Sequence, residues 1–197
     1  MIVNLGRVVD ISLCDSSYSS TIIFLRGCPL RCRYCQNFEL QSGYTPVDII
    51  EVIHRIEKNM GFISSVIFSG GEPLMQQDAL QQLLRHCKEK GLRTGIETSG
   101  FYPWSLEELF KENLLDEVFI DFKTTVMKYK EFTGNVWAYS NMINSLFQCS
   151  NYRVPTEIRT TIFEGELTEE DMSDMKSVVD FFDFKWRKQN GRKTPGL

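Results

Sequence analysis

Thr21-Ile22-Ile23-Phe24-Leu25 is followed, after one residue, by Gly27-Cys28-Pro29-Leu30-Arg31-Cys32-Arg33-Tyr34-Cys35-Gln36-Asn37. The first run is β-branched and aromatic, which predicts a β-strand. The second run contains a glycine, a proline and three cysteines, which predicts a loop directly after that strand. We therefore expect three thiols to lie together at the end of one strand.

Similar strand-like runs recur along the chain, and amphipathic stretches separate them. The further predicted strands cover residues 66–68, 94–97, 118–121 and 158–162, with a weaker sixth near 181–184. The predicted helices cover residues 47–60, 78–90, 105–112, 138–149 and 168–179. Ser105 with Glu108, and Thr168 with Asp171, provide an N-cap and an acid three residues later for two of these helices.

Alternating strands and helices indicate an α/β protein with a parallel sheet. Six strands are too few to close an eight-stranded barrel, so we expect a partial (β/α)6 barrel with an open side and the cysteine loop after its first strand. In such barrels the chemistry lies on the loops after the C-terminal ends of the strands. We expect one domain over residues 1–187, with a short strand or hairpin around Val9, Ile11 and Leu13 before the first βα unit, and a flexible tail over residues 188–197.

The composition argues against several classes of function. The chain has 197 residues and a net charge of −4, which disfavours a protein that mainly binds nucleic acid. No apolar run approaches the roughly 20 residues that cross a bilayer, and no signal-peptide pattern opens the sequence. We therefore expect a cytoplasmic protein that binds neither nucleic acid nor a membrane.

The six cysteines are unevenly spaced, which favours metal ligation over a disulfide framework. Cys28, Cys32 and Cys35 are separated by three and then two residues, and closely spaced thiolates bind iron–sulfur clusters. Three ligands would leave the fourth iron of a [4Fe–4S] cluster open to a substrate. A structural zinc site with a distant fourth ligand is the alternative. The isolated Cys87 and Cys149 are expected to pack in the core.

The pattern Cys-x-x-x-Cys-x-aromatic-Cys after the first strand of a partial barrel resembles the radical S-adenosylmethionine (radical SAM) superfamily. The resemblance extends over residues 22–162. It implies one [4Fe–4S] cluster on Cys28, Cys32 and Cys35, with S-adenosylmethionine bound at the open iron. It also implies that reduction of the sulfonium releases methionine and a 5′-deoxyadenosyl radical.

Two segments resemble parts of the superfamily that hold S-adenosylmethionine. Ser69-Gly70-Gly71-Glu72-Pro73 is similar to the Gly-Gly-Glu-Pro segment, whose backbone and glutamate hold the amino group of the methionine part. Glycines allow close approach of the main chain, and a carboxylate is a charge-assisted acceptor for an ammonium group. Glu97-Thr98-Ser99-Gly100 resembles the ribose-binding segment, where short polar side chains suit hydroxyl groups.

Three weaker matches complete the expected ligand site. Asp121-Phe122-Lys123 resembles an Asp-x-Lys segment of activating enzymes. Arg159, in the predicted fifth strand, is a candidate partner for the carboxylate of the ligand. Tyr34, one residue before the last cysteine of the loop, matches the position that lies against adenine.

Within the superfamily, the short chain and the order of these motifs look most like anaerobic ribonucleotide reductase activating proteins. The implied partners are that large glycyl radical enzyme and a flavodoxin or ferredoxin as electron donor. Two positions differ from such activators: Gln36 stands where they carry His, and Asp15-Ser16-Ser17-Tyr18 replaces their Pro-Gly. The alternatives are a radical SAM enzyme for a small molecule, as in deazaguanine synthesis, and a zinc-binding interaction module.

Overall fold

The computed structural model describes residues 1–191. Within this range the chain folds into one sheet with helices between its strands. The strands are β1 (Ile2–Ser12), β2 (Ser20–Leu25), β3 (Pro46–Asp48), β4 (Ser65–Gly70), β5 (Arg93–Thr98), β6 (Glu117–Asp121), β7 (Thr156–Ile162) and β8 (Lys185–Asn190). The helices are α1 (Ile49–Asn59), α2 (Gln77–Glu89), α3 (Pro103–Lys111), α4 (Val126–Thr133), α5 (Ala138–Tyr152) and α6 (Glu169–Phe182).

The sheet has the order β3-β1-β2-β4-β5-β6-β7-β8 and does not close. The six strands from β2 to β8 in this order are parallel, whereas β1 is antiparallel to β2 and β3 is antiparallel to β1. At least one helix connects each pair of consecutive parallel strands. The predicted partial (β/α)6 barrel with an open side is confirmed, and the cysteine loop follows β2, its first parallel strand.

Successive residues of the parallel strands are buried on opposite faces of the sheet. Ile23, Phe68 and Ile120 are fully buried and belong to the large core between the sheet and the helices. A smaller apolar cluster that includes Phe24 and Phe119 fills part of the inner face. Other parts of the barrel interior hold buried polar and charged side chains, such as Thr98 and Arg159.

The last strand differs from the prediction. Residues 181 and 182 end α6 instead of forming a strand, and Asp183 leaves the helix with a φ of 54°. The strand that follows, β8, is polar, so its sequence lacks the apolar run that predicts a strand. Residues 188–190, which we expected in the tail, belong to β8. Residues 192–197 of that expected tail lie outside the described residues.

Two helix starts show how far local sequence signals hold. Thr168 and Asp171 form the predicted capping box of α6. The predicted cap at Ser105 is wrong, because α3 already begins at Pro103, whose fixed φ and missing N–H suit the first helical position. The Ser105 hydroxyl lies inside the helix and donates to Gln77 instead.

Asp171 gives the fold a pH dependence at low pH. Lys128 Nζ on α4 donates to its carboxylate at 2.5 Å and the Thr168 amide at 2.8 Å, and these bonds lower the pKa from 3.8 to about 2. The unfolded chain therefore binds this proton more tightly, and the stabilisation present above pH 3.8 is lost as the pH falls through about 2. In urea unfolding experiments, the free energy of unfolding should decrease less between pH 6 and pH 2 for Asp171→Asn than for the wild type.

The matched control is Asp174→Asn, an exposed carboxylate on the same helix. This variant should follow the wild-type dependence on pH. Equal pH dependence of the wild type and Asp171→Asn would contradict the assignment.

Candidate active site

A cavity of about 340 Å³ opens where the parallel strands end. It is bounded by the loop after β2 and by residues at the C-terminal ends of β4, β5, β6 and β7. The predicted site residues that line it are Cys28, Cys32, Tyr34, Cys35, Gly70, Gly71, Glu97, Thr98, Ser99, Asp121, Lys123 and Arg159. Glu72 and Pro73 are buried beside it without lining it. Segments far apart in the sequence therefore meet in one place.

Backbone hydrogen bonds hold the cysteine loop at both ends. The Gly27 amide donates to the Leu40 carbonyl at 2.8 Å, and the Arg31 amide donates to the Thr133 carbonyl at 2.8 Å. Thr133 is the last residue of α4, a helix that the sequence analysis did not predict. The helix stops at Gly134, which has a φ of 71°, and a Cβ at this position would lie 3.3 Å from the Arg31 Cβ. The cysteine loop is thus fastened to the chain on two sides.

The donor set of this loop fits an iron–sulfur cluster. Cys28, Cys32 and Cys35 line the same cavity, and none of them forms a disulfide. Burial raises the pKa of the Cys28 thiol to about 12 and also raises that of Cys32, so the thiolates need a cation to balance their charge. Within residues 1–191, no three His, Cys, Asp or Glu side chains are close enough together to hold a single metal ion. A cubane does not need such a group, because each thiolate binds a different iron atom.

Gly70, the last residue of β4, and Gly71, which follows it, lie against the end of β2 and the base of the cysteine loop. The Gly71 amide donates to the Leu25 carbonyl at 2.9 Å, and the Glu72 amide donates to the Gly27 carbonyl at 2.7 Å. A Cβ on Gly70 would lie 2.1 Å from the Leu25 oxygen, and one on Gly71 would lie 2.2 Å from the Gly27 oxygen. The glycines are therefore required by this contact between two loops, before any ligand binds.

Glu72 is fully buried, and its carboxylate is occupied by the chain itself. Thr98 Oγ1 donates to it at 2.7 Å, and Ser99 donates from its amide at 2.9 Å and its hydroxyl at 2.5 Å. Burial raises the pKa of Glu72, and these hydrogen bonds oppose the rise. The carboxylate thus joins the loop after β4 to the loop after β5. Direct contact between Glu72 and the ligand stays a prediction.

Asp121 and Lys123 form an ion pair beside the cysteines, with Nζ 3.1 Å from Oδ2. Burial alone would lower the pKa of Lys123, but the charges of Asp121 and Cys32 outweigh it and raise the pKa well above its usual value. Lys123 is therefore a cation that faces the cavity. A cation at this position suits a carboxylate or the negative charge of a thiolate-bound cluster.

Tyr34 lies in an aromatic group at the cavity wall. Its ring stacks on Phe163, with 4.6 Å between the centroids, and meets Phe132 edge to face at 5.7 Å. Its hydroxyl donates to Glu166. Phe132 and Phe163 also line the cavity, and sequence reasoning missed both because an isolated phenylalanine resembles a core residue. Flat rings at this place suit stacking against a planar base.

Arg159 is deeply buried, and its guanidinium binds other residues of the chain. It donates to Glu97, to Glu157 and to the carbonyl of Asp15. Arg159 lines the cavity as expected, but three of its donors are used inside the protein. A contact between Arg159 and the ligand carboxylate therefore stays a prediction.

The other cysteines are placed away from this site. Cys87 and Cys149 are buried in the large core, as expected. Cys14 is exposed in the connection between β1 and β2 and does not line the cavity.

Comparison with known families identifies the protein class. The family model described as "Radical SAM superfamily" matches residues 22–178. The chain belongs to the radical SAM superfamily. The chain is therefore an enzyme of this superfamily, and membership implies that it binds a [4Fe–4S] cluster and S-adenosylmethionine. Membership also favours the cluster over a structural zinc ion.

Two of the relatives of this radical SAM chain carry the names of activating enzymes. A Methanocaldococcus jannaschii protein named as a glycyl-radical enzyme activating enzyme is 35% identical over 181 residues, 87% of this chain and 73% of that protein. The pyruvate formate-lyase-activating enzyme of Clostridium pasteurianum is 33% identical over 128 residues. That match covers 60% of this chain and 53% of the Clostridium enzyme.

Solved structures show the same radical SAM fold. Streptococcus suis SuiB matches with a TM-score of 0.69 and 20% identity, over 87% of this chain and 39% of SuiB. The anSMEcpe protein with bound AdoMet and a Kp18Cys peptide matches with a TM-score of 0.66 and 15% identity. That match covers 87% of this chain and 51% of anSMEcpe. At these identities the likeness concerns the fold alone.

No helix within residues 1–191 is both long and apolar enough to cross a membrane.

Proposed function

We propose that this radical SAM enzyme installs a glycyl radical on a larger partner enzyme. The observation that carries the proposal is that one cavity is lined by the three cysteines of the loop, by the two glycines at the end of β4, and by Glu97 and Asp121. It occurs in a chain that is 35% identical over 181 residues to a protein named as a glycyl-radical enzyme activating enzyme. The same residues on a radical SAM fold alone would leave the substrate open, because a fold hosts many reactions.

The residues of the cavity divide the work of holding the ligand. Cys28, Cys32 and Cys35 would hold the cluster, which when bound supplies the electron that cleaves S-adenosylmethionine to methionine and a 5′-deoxyadenosyl radical. Gly70 and Gly71 line the cavity and have no side chains, so they offer backbone groups to the methionine part.

The other walls suit the remaining parts of the ligand. Glu97 offers a carboxylate acceptor for ribose hydroxyls, and Lys123 offers a cation for the methionine carboxylate. The rings of Tyr34 and Phe163 offer a flat apolar surface for adenine and keep water from that side of the cavity.

The hydrogen donor that we propose is a glycine of anaerobic ribonucleotide reductase. The radical takes the Cα hydrogen of that glycine, which gives 5′-deoxyadenosine and a glycyl radical. A sheet that does not close leaves a side from which a backbone loop of another protein can enter. We further propose a flavodoxin or ferredoxin as reductant and the cytoplasm as location, because free thiols persist in a reducing compartment.

The test is an anaerobic assay of the reconstituted enzyme with S-adenosylmethionine, reductant and a candidate partner. We expect 5′-deoxyadenosine and methionine by mass spectrometry, and the doublet of a glycyl radical by electron paramagnetic resonance when anaerobic ribonucleotide reductase is present. The matched control partner carries alanine in place of the radical glycine and should give no doublet.

The other outcomes separate the parts of the proposal. A doublet with pyruvate formate-lyase and none with the reductase would overturn the choice of partner and keep the reaction. Cleavage of S-adenosylmethionine with no doublet on any glycyl radical enzyme would overturn the activating function. A small-molecule substrate, as in deazaguanine synthesis, would then be the next candidate.

A further inference from the structure

One buried arginine joins three separate parts of the chain inside the barrel. Arg159 Nε donates to Glu157 Oε1 at 2.9 Å, one terminal nitrogen to Glu97 Oε1 at 2.5 Å, and the other to the Asp15 carbonyl at 2.5 Å. The guanidinium carbon lies 3.8 Å from the centre of the Phe119 ring. The side chain is therefore fixed from four directions.

The two carboxylates that bind Arg159 face different spaces. Glu97 lines the 340 Å³ cavity where the ligand is expected. Glu157 lines a second cavity of about 260 Å³, bounded by residues at the N-terminal ends of β6, β7 and β8, and it does not line the first. Asp15 borders both cavities. Glu157 can therefore influence the ligand only through other residues, and Arg159 is the residue that connects it to the ligand cavity.

Burial makes this connection stiff. The Arg159 residue is only 7% exposed, and a charge removed from water must be paired. Its planar group has fixed donor directions, so a shift at one carboxylate changes the geometry at the other. Lys185 Nζ holds the second oxygen of Glu157 at 2.6 Å. Glu157 therefore binds Arg159 with one oxygen and meets the exposed Lys185 side chain with the other.

Glu97 depends on this arrangement for its place at the cavity wall. Burial raises the pKa of the Glu97 carboxyl, and the charge of Arg159 opposes that rise. One oxygen accepts a hydrogen bond from Arg159, and Ser69 also hydrogen-bonds the carboxylate, so Arg159 is one of two groups that set the direction of the carboxylate plane. A hydrogen bond from a ligand hydroxyl to Glu97 is strong only at a suitable distance and angle, so the orientation of the carboxylate affects how tightly the ligand binds.

We propose that Glu157 is a positioning residue for S-adenosylmethionine, and that it acts through Arg159 on the orientation of Glu97. The proposal rests on the proposed function only in taking S-adenosylmethionine as the ligand of the 340 Å³ cavity. It assigns a role to a residue that has no contact with that cavity.

A double-mutant cycle tests the proposal by binding alone. The reconstituted wild type, Glu157→Gln, Glu97→Gln and the double variant are titrated anaerobically with S-adenosylmethionine in the absence of reductant. We expect each single change to raise Kd about tenfold, and the double variant to bind about as well as Glu97→Gln. If Glu157 affects binding only through Glu97, then its substitution should not change Kd further in a protein that already carries Glu97→Gln.

Two results would overturn the proposal. One is an unchanged Kd for Glu157→Gln. The other is an additive cycle, with the double variant near a hundredfold above the wild type, which is the result for a merely structural role. If Glu157→Gln does not load a cluster, Glu157→Asp takes its place in the same cycle with the same expected outcomes, because the shorter side chain keeps the charge and withdraws the carboxylate from Arg159.

The matched control is Lys185→Ala. Lys185 binds Glu157 from the solvent side, and its side chain is 74% exposed, so its ion pair contributes little. The Kd of Lys185→Ala should stay within about twofold of the wild type, because Arg159 still binds Glu157 Oε1. A tenfold rise would show that charge at the second cavity, and not the hydrogen bond to Arg159, controls binding, and would overturn the proposal. Absence of a glycyl radical on every partner, with the cycle as expected, would refute the proposed function and leave this inference intact.

Discussion

Cys32→Ala is expected to leave the protein without a stable [4Fe–4S] cluster. Cys32 lines the same cavity as Cys28 and Cys35, and its removal leaves two local thiolates for a cubane that needs ligands on three irons. Iron and acid-labile sulfide per chain should fall from about four to near zero after anaerobic reconstitution and desalting. The brown absorption of the cluster should be lost in parallel.

The control for this loss is Cys14→Ala. Cys14 is also a free cysteine, but it is exposed and does not line the cavity. This variant should bind as much iron and sulfide as the wild type. A full cluster in Cys32→Ala, or its loss in Cys14→Ala, would contradict the assignment of the ligands.

The parallel strands and their loops could be predicted from the sequence because their signals are local. The run from Thr21 to Leu25 is buried throughout, as a strand covered on both faces should be. The loops that carry the cysteines and the other predicted site residues directly follow parallel strands. Because the C-terminal ends of parallel strands lie on one side of the sheet, these loops meet there. Convergence of the cysteines with Glu97 and Lys123 therefore follows from the strand pattern and the parallel order.

The elements that escaped prediction depend on distant contacts. Strand β8 is polar along its length, and its pairing with β7 is what makes it a strand. Helix α4 has eight residues and a weak apolar pattern, and its last residue is fixed by the amide of Arg31 in the cysteine loop. Local propensity is a weak guide where tertiary contacts decide.

The connections inside the site were also invisible in the sequence. Nothing local indicates that Glu72 binds Thr98 and Ser99, or that Glu157 and Asp15 share Arg159. A motif gives the residue type at a place in the fold, and the partners of that residue come from other segments. The resemblance led us to expect ligand contacts for Glu72 and Arg159, whereas both side chains form hydrogen bonds to other residues of the protein.

The segment Asp15-Ser16-Ser17-Tyr18 lies between β1 and β2, beside the N-terminal ends of the parallel strands. Ser16 Oγ donates to Glu117 Oε1 at 2.8 Å, and the Asp15 carbonyl accepts from Arg159. The segment therefore contacts β6 and β7 across the barrel from its own strands. This contact supplies polar partners for charged groups of the inner face that would otherwise need water.

Gly71→Ala is expected to prevent the protein from folding with an intact cluster site. The added Cβ would lie 2.2 Å from the Gly27 oxygen and 2.9 Å from the Leu40 oxygen, and both are backbone atoms that hold the cysteine loop. Such contacts cannot be relieved by a change of rotamer, so the cost should exceed about 3 kcal/mol, a large part of a typical folding free energy. Thermal unfolding and iron content would measure the effect.

Gly61→Ala is the matched control, because a Cβ at that exposed position meets no atom within 4 Å. It should unfold at the wild-type temperature and load the same amount of iron. A Gly71→Ala protein with wild-type stability and a full cluster would show that the chain at Gly71 can move away from the cysteine loop with no loss of stability or iron. The tight backbone contact would then be unnecessary for the cluster, and the glycine would have to be explained by the ligand alone.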